Sequence, residues 1–325
     1  MKVAMDVSPL EQTRAGTARY LRALLPQLER QVQVERLHGF ARGRAGTLWL
    51  DLVWYPGMVA RRARRADVLH CPTYRGPTHT KTPLVVTVHD VAVFRYPDAF
   101  PPWTRAYSRN VVPRVLRAAQ RILAVSEFTA DELEAVLAVP REKIRVVPNA
   151  ADPAFVPDGP HADGDYVLAV GTLEPRKNLV RTIEATAALG LELRVAGDRG
   201  WGGVEARGDH VRWLGHVEDE ELGRLYRGAL CVAYPSLYEG FGIPVLEAMA
   251  CGAPVVTSVG GATGEVGRGA AVLVDPREPA AIAAGIEEAI ARRDELRARG
   301  LERAQAYSWE ESARLTVEAY REAVA

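Results

Sequence analysis

The chain of 325 residues carries 48% hydrophobic and 25% charged side chains at a formal net charge of zero, so it reads as an ordinary globular protein of two domains, with no cationic excess to suggest a nucleic-acid partner. Its three cysteines, Cys71, Cys231 and Cys251, are odd in number, lie in or beside apolar segments and show no C-x-x-C spacing, which favours buried thiols in a reducing compartment over a disulfide or zinc framework. No apolar run approaches the ~20 residues that span a bilayer, and Asp6 stands where a signal peptide needs its apolar core, so a cytoplasmic protein is expected, at most attached to the inner membrane face.

Short apolar, β-branched runs alternate with helical stretches from end to end, the pattern of a parallel sheet covered by helices. Strands are expected at residues 2–7, 32–37, 67–70, 84–89, 121–126 and 144–147, with helices at 17–29, 103–119 and 127–137. Residues 148–160 are dense in turn formers, lack periodicity and read as an interdomain linker. A second set of strands follows at 166–171, 192–196, 211–214, 229–234, 254–257 and 271–274. The fold class is therefore α/β, with one Rossmann-like domain over 1–160 and another over 161–307. Ligands of such sheets bind beyond the C-terminal ends of the strands, where His89, Ser126, Gly171 and the loop holding Glu239 fall. Ser308 and Glu311 then offer a capping box for a last helix.

Residues 235–252 are the most informative stretch. They follow the apolar run 229–234 and lead into a helix with Pro244 in its first turn and Gly252 placed to stop it. Backbone N–H groups at such a helix start are unpaired and partly positive, and Gly240 and Gly242 remove side chains that would hold a phosphate away. Two carboxylates, Glu239 and Glu247, bracket this anion site, an arrangement suited to a phosphate that carries a hydroxyl-rich neutral group. A helix from about residue 242 separates them by roughly 12 Å along its axis. Glycosidase carboxyls stand about 5–5.5 Å or about 6.5–9.5 Å apart, so the pair reads as two independent contacts.

Glu239 and Glu247, with Ser236, Leu237, Tyr238, Gly240, Phe241 and Gly242 around the first, resemble the E-x7-E element of the retaining GT-B glycosyltransferases of family 4. The run from Gly171 through Thr172, Leu173, Glu174, Pro175, Arg176 and Lys177 to Asn178 is similar to the segment with which those enzymes hold the donor diphosphate. The resemblance spans almost the whole chain. It implies two facing Rossmann-like domains with a cleft between them, an acceptor-binding first domain, a donor-binding second one, and a C-terminal helix over 308–325 that returns to the first.

The resemblance also implies roles. Glu239 would bond the transferred sugar and Glu247 the ribose hydroxyls. Gly171, Thr172, Gly240, Phe241, Gly242 and Ile243 would line the donor site. Arg176 and Lys177 would neutralise the diphosphate, a fork and a point charge that together suit it. Many relatives carry arginine where this chain has Thr172, so its diphosphate meets one cation fewer. His89, after the run 84–88, would contact the donor sugar, and Gly16, opening a helix, would let backbone approach the phosphate, although a plain turn glycine reads as well there.

The implied donor is a nucleoside-diphosphate hexose, GDP-mannose first, the acceptor a glycan or lipid-linked hydroxyl, and no cofactor or metal is called for. The leaving phosphate would itself take the acceptor's proton on the same face. Base contacts are expected after Gly197 and around residues 215–217. Walker, full G-x-G-x-x-G, G-x-S-x-G and H-E-x-x-H motifs are missing, as is a D-x-D after a strand. A nucleotide-sugar epimerase and a non-catalytic nucleotide-sugar module remain as alternatives.

Charge is uneven along the chain. Residues 1–160 hold 23 Lys and Arg against 15 Asp and Glu, and the remainder 18 against 26, so the first half suits an anionic partner. Arg61, Arg62, Arg64 and Arg65, with Arg105, Arg109, Arg114 and Arg117, read as a solvated face or as a contact for a lipid pyrophosphate or an anionic membrane.

Overall fold

A computed structural model describes residues 1–12, 16–39, 43–198 and 208–325. The chain divides into two compact units, Met1–Asn149 with Ser308–Ala325 and Ala150–Tyr307. Each is built on a six-stranded parallel sheet. The first holds β1 (Lys2–Asp6), β2 (Gln33–Leu37), β3 (Val68–Cys71), β4 (Leu84–Val88), β5 (Arg121–Ala124) and β6 (Ile144–Val146), in the order β2-β1-β3-β4-β5-β6. The second holds β7 (Tyr166–Val170), β8 (Glu192–Ala196), β9 (Val211–Gly215), β10 (Cys231–Tyr234), β11 (Val255–Ser258) and β12 (Val272–Val274), in the order β12-β11-β10-β7-β8-β9. Continuous apolar runs make these strands: all five residues of β4 are buried, as a parallel strand covered on both faces requires. The strand order reverses between β1 and β3 in one sheet and between β7 and β10 in the other. Such reversals open a crevice at the C-terminal strand ends, where ligands of this architecture bind.

The C-terminal helix Trp309–Val324 belongs to the first unit. Ser308 caps it by accepting from Glu311 N at 3.1 Å, while the Glu311 carboxylate turns to Arg314 instead of closing the capping box. Its Tyr320 hydroxyl meets His70 Nδ1 of β3 at 2.6 Å, and Thr87 Oγ1 of β4 holds the other ring nitrogen at 2.9 Å. Burial lowers the His70 pKa to about 3, so this bridge is neutral at physiological pH. Glu322 pairs with both Arg121 and Arg145. Residues after Asn149 group with the second unit, where Phe155 meets Tyr226 edge-on with ring centroids 5.7 Å apart.

Two segments depart from the sequence reading. The single helix expected at 103–119 is two helices, Pro102–Asn110 and Val112–Ala118. Pro113 is the cause, since it offers no N–H and crowds the preceding turn, and so starts a helix well but cannot continue one. Residues 43–65, to which no element is assigned from sequence, are helical throughout: Gly43–Trp49, a π-helix Leu50–Met58 containing Pro56, Val59–Arg62, and a 3-10 turn Ala63–Arg65. Asp6 at the end of β1 ties this run to the sheet, accepting from Trp54 Nε1 at 3.1 Å and from Ser8 Oγ at 2.5 Å. All three cysteines are buried and unbridged.

Candidate active site

In the second unit the loops after β7 and β10 leave the sheet at its reversal and are fastened to each other. The first loop tightens into the 3-10 turn Pro175–Lys177 and passes through Asn178, whose φ of 61° is left-handed, into the helix Leu179–Ala188. Asparagine tolerates that conformation better than most residues, and here its side chain also holds the loop. The Asn178 amide donates to the carbonyls of Pro235 at 3.0 Å and Pro276 at 2.6 Å, and its oxygen accepts from Arg181. Leu237 N donates to the Arg176 carbonyl at 2.8 Å. Sequence distance of about sixty residues is thus closed by backbone and amide contacts, which puts Arg176, Lys177 and Glu239 together.

Glu239 lies between the two cations. Its Oε1 stands 2.6 Å from Lys177 Nζ, and its Oε2 accepts from Arg176 Nη1 at 2.9 Å. Arg176 Nε donates to Glu174 Oε2 at 2.8 Å. The hydroxyl of Tyr234, the last residue of β10, accepts from Lys177 Nζ at 2.5 Å and stands 3.1 Å from Glu239 Oε1, to which it donates. Side-chain exposure is only 13% for Lys177 and 11% for Glu239, so these charges interact with little water between them. Burial works against both ionised forms, yet each outweighs that cost for the other. Glu239 keeps the Lys177 pKa above its usual value, and Lys177 with Arg176 holds the Glu239 carboxyl below its own. Burial, and then Glu239, pushes the Tyr234 hydroxyl up to about 12. Tyr234 and Asn178 were not singled out from sequence. Tyr234 carried one signal, as the last apolar residue before the glycine-bearing loop.

The helix after this loop is Ile243–Ala250, capped at its N-terminus by Gly242 with φ 106°. A Cβ there would stand 2.9 Å from Thr263 Cγ2, so both backbone and space require glycine. Pro244 in the first turn lacks an N–H, and Val245 N already donates to the Gly242 carbonyl, so the donors left at this terminus are fewer than the bare sequence suggests. Gly240 is buried, and Phe241 packs edge-on against Tyr307 at 5.8 Å. Glu247 lies inside the helix, 1% exposed, accepting from Tyr226 at 3.1 Å. The two glutamates therefore have separate partners. Gly171, with φ 130°, and Thr172 follow β7, and Gly171 N donates to the Ala196 carbonyl at 2.9 Å. Of the expected base-contacting segments, residues 199–207 lie outside the described residues, and Gly215 closes β9 by accepting from Gly197 N at 2.8 Å.

His89 and Gly16 belong to the first unit. His89 follows β4, its Nε2 donating to the Pro72 carbonyl at 3.0 Å and its ring edge-on to Tyr20 at 4.8 Å. Burial lowers its pKa against the opposing pull of Pro72 and Asp90, leaving a neutral ring with Nδ1 as its acceptor. Gly16 opens the helix Gly16–Glu29, and a Cβ on it would meet nothing within 4 Å. Arg14 and Ala15 lie outside the described residues. Ser126 caps the helix Glu127–Leu137 by accepting from Thr129 N. Arg61, Arg62, Arg64 and Arg65 are exposed, with Arg62 over the Trp54 ring at 5.6 Å.

Residues 15–155 match the family model Glycosyltransferase Family 4, and residues 155–307 match Glycosyl transferases group 1. The chain is similar to the O-antigen chain mannosyltransferase B of Escherichia coli, 34% identical over 290 residues that cover 81% of this chain and 76% of that protein. It is also similar to the D-inositol 3-phosphate glycosyltransferase of Kineococcus radiotolerans, 32% identical over 74% of this chain and 66% of that one. Among solved structures, the sucrose-phosphate synthase of Thermosynechococcus elongatus matches with a TM-score of 0.80 at 21% identity, covering 99% of this chain and 98% of the other. The chain belongs to glycosyltransferase family 4, and it is a glycosyltransferase of the GT-B fold.

Proposed function

We propose that this glycosyltransferase is a retaining, metal-independent hexosyltransferase that moves mannose from GDP-mannose to a hydroxyl of a glycan or lipid-linked acceptor. The observation that carries the reading is the Arg176–Glu239–Lys177 cluster at the reversal of the second sheet. In the free protein Glu239 neutralises both cations. An arriving diphosphate takes them over, and the released carboxylate is free to bond hydroxyls of the sugar. The bond from the anomeric carbon to the phosphate oxygen breaks as the bond to the acceptor oxygen forms, and the acceptor's proton passes to that phosphate. Lys177 and Arg176 hold the growing charge without rearranging, which is where preorganised cations lower a barrier and where a metal ion would otherwise serve. Gly171, Thr172 and residues 240–243 line the phosphate site and Glu247 serves the ribose, while the roles of His89 toward the sugar and Gly16 toward the phosphate rest on the family resemblance. The donor sugar is read from the likeness to a mannosyltransferase.

We also propose a peripheral contact with anionic lipid. It is supported by Leu48, Leu52 and Val53, exposed on the same helical run that carries Arg61, Arg62, Arg64 and Arg65. Vesicle sedimentation tests it.

Transfer is tested with chelator present, following the product's anomeric configuration by NMR. Lys177→Ala and Arg176→Ala are each expected to reduce turnover about 10²–10³-fold in a folded protein. Near-normal turnover in either variant refutes the assigned role, an inverted product refutes retention, and loss of activity with chelator refutes metal independence.

A further inference from the structure

At the C-terminal edge of the first sheet lies a second polar cluster that the reaction above does not use. The strand order reverses between β1 and β3, and the loop that leaves β3 carries Arg75. Arg75 Nη1 stands 3.1 Å from Asp51 Oδ1, and the guanidinium lies over the Tyr107 ring at 5.4 Å. The other oxygen of Asp51 accepts from Trp103 Nε1 at 2.9 Å. The π-helix Leu50–Met58, the loop after β3 and the helix Pro102–Asn110 thus converge at the place where such a sheet receives ligands.

Four features set this cluster apart from packing. The Asp51 side chain is fully buried, and a buried ion pair is often no more stable than apolar side chains of the same volume. It is delivered by a π-helix, a rare form found frequently at functional sites. Tyr107 is 6% exposed and its hydroxyl has no hydrogen-bond partner among the described residues, although buried tyrosine hydroxyls usually find one. Trp103 is 41% exposed while its Nε1 is fixed to a buried carboxylate, so a large aromatic face is held still in water.

We infer that Trp103, Arg75, Asp51 and Tyr107 form the subsite for the acceptor's sugar. The electron-rich face of Trp103 receives the polarised C–H face of a pyranose. The Arg75 guanidinium, held in place by the buried Asp51 carboxylate, offers its remaining donors to the hydroxyls of the sugar. Tyr107 supplies one further hydroxyl, now unpaired. This rests on the reading of the protein as a transferase to a glycan acceptor.

The test is saturation-transfer NMR on the full chain without nucleotide, using the methyl glycosides of mannose, glucose, galactose, rhamnose and N-acetylglucosamine. At least one is expected to bind, about tenfold more weakly in Trp103→Ala and Arg75→Ala, with binding kept in Trp103→Phe and weakened in Tyr107→Phe. Nucleoside diphosphates should stabilise all of these variants to the same extent as the parent, which also reports that they are folded. Failure of every glycoside to bind, or binding unchanged in Trp103→Ala, overturns the subsite. Absence of any nucleotide shift in the parent, with glycoside binding intact, counts instead against the donor reading and leaves the subsite standing.

Discussion

Glu239 has a different job at rest from the one its motif suggests, and the physics of a shared charge makes that testable. A carboxylate 2.6 Å from Lys177 and 2.9 Å from Arg176 competes with any incoming anion for both. Glu239→Gln removes this competitor from Lys177 and leaves Arg176 paired with Glu174, so a bare nucleoside diphosphate should bind about tenfold more tightly while turnover collapses. Isothermal titration reads both signs, and weaker binding would show that Glu239 assists the anion rather than standing in for it. The pH dependence follows from the same pair. The Glu239 carboxyl is held below the ordinary 4.5, so its contribution to stability is complete above that pH and is lost as pH falls through the depressed value. The Lys177 pKa is raised above 10.5, so its contribution is complete below that pH and is lost as pH rises through the raised value. Glu239→Gln should accordingly flatten the acid limb of a melting-temperature profile. From sequence, Arg176, Lys177 and Glu239 were legible as residues through their motifs, but their mutual neutralisation was not, because only the Asn178 and Leu237 contacts bring the loops into register.

At the scale of elements, two glycines that look alike in sequence separate in the fold. Gly242 combines a φ of 106° with a Cβ position 2.9 Å from Thr263 Cγ2. Gly242→Ala should destabilise the second unit by about 1–2 kcal/mol and displace the helix start. Gly16 has open space around a Cβ and starts a helix, where alanine is the better helix former, so Gly16→Ala should leave the melting temperature unchanged or slightly raised. Any loss of donor affinity in Gly16→Ala then reports a ligand's approach to that backbone. Unchanged affinity and turnover would return Gly16 to the plain turn reading. The elements also show where period reading fails. The stretch 103–119 keeps a helical pattern across Pro113, but a pattern of apolar spacing is silent about a missing N–H. Within the run 43–65 the α-helical pieces are of four and seven residues, and the π-helix Leu50–Met58 between them has neither the 3.6-residue period nor a strand's alternation, so no period marks the run in sequence.

For the whole molecule, the charge division between the halves is the property with a consequence. Arg61, Arg62, Arg64 and Arg65 are exposed on the helical run that also exposes Leu52 at 62%, and apolar and basic surface together are what an anionic interface attracts. The protein should sediment with phosphatidylglycerol vesicles at low salt, be released as ionic strength rises, and ignore neutral vesicles. Substituting Arg61, Arg62, Arg64 and Arg65 with Glu should abolish sedimentation, and sedimentation that survives would remove the basic run from the contact. Among the described residues no helix is long and apolar enough to cross a membrane.

Strand runs buried on both faces and turn-forming breaks are local properties, so the sequence by itself determined the α/β class and, among the described residues, the strands of both sheets. Charge neutralisation at Glu239, the bridge from Tyr320 to His70, and the meeting of Asp51, Arg75 and Trp103 depend on groups far apart along the chain. Only the tertiary structure decided these, because strand order and loop register, which no local period encodes, set which distant side chains share one edge of a sheet.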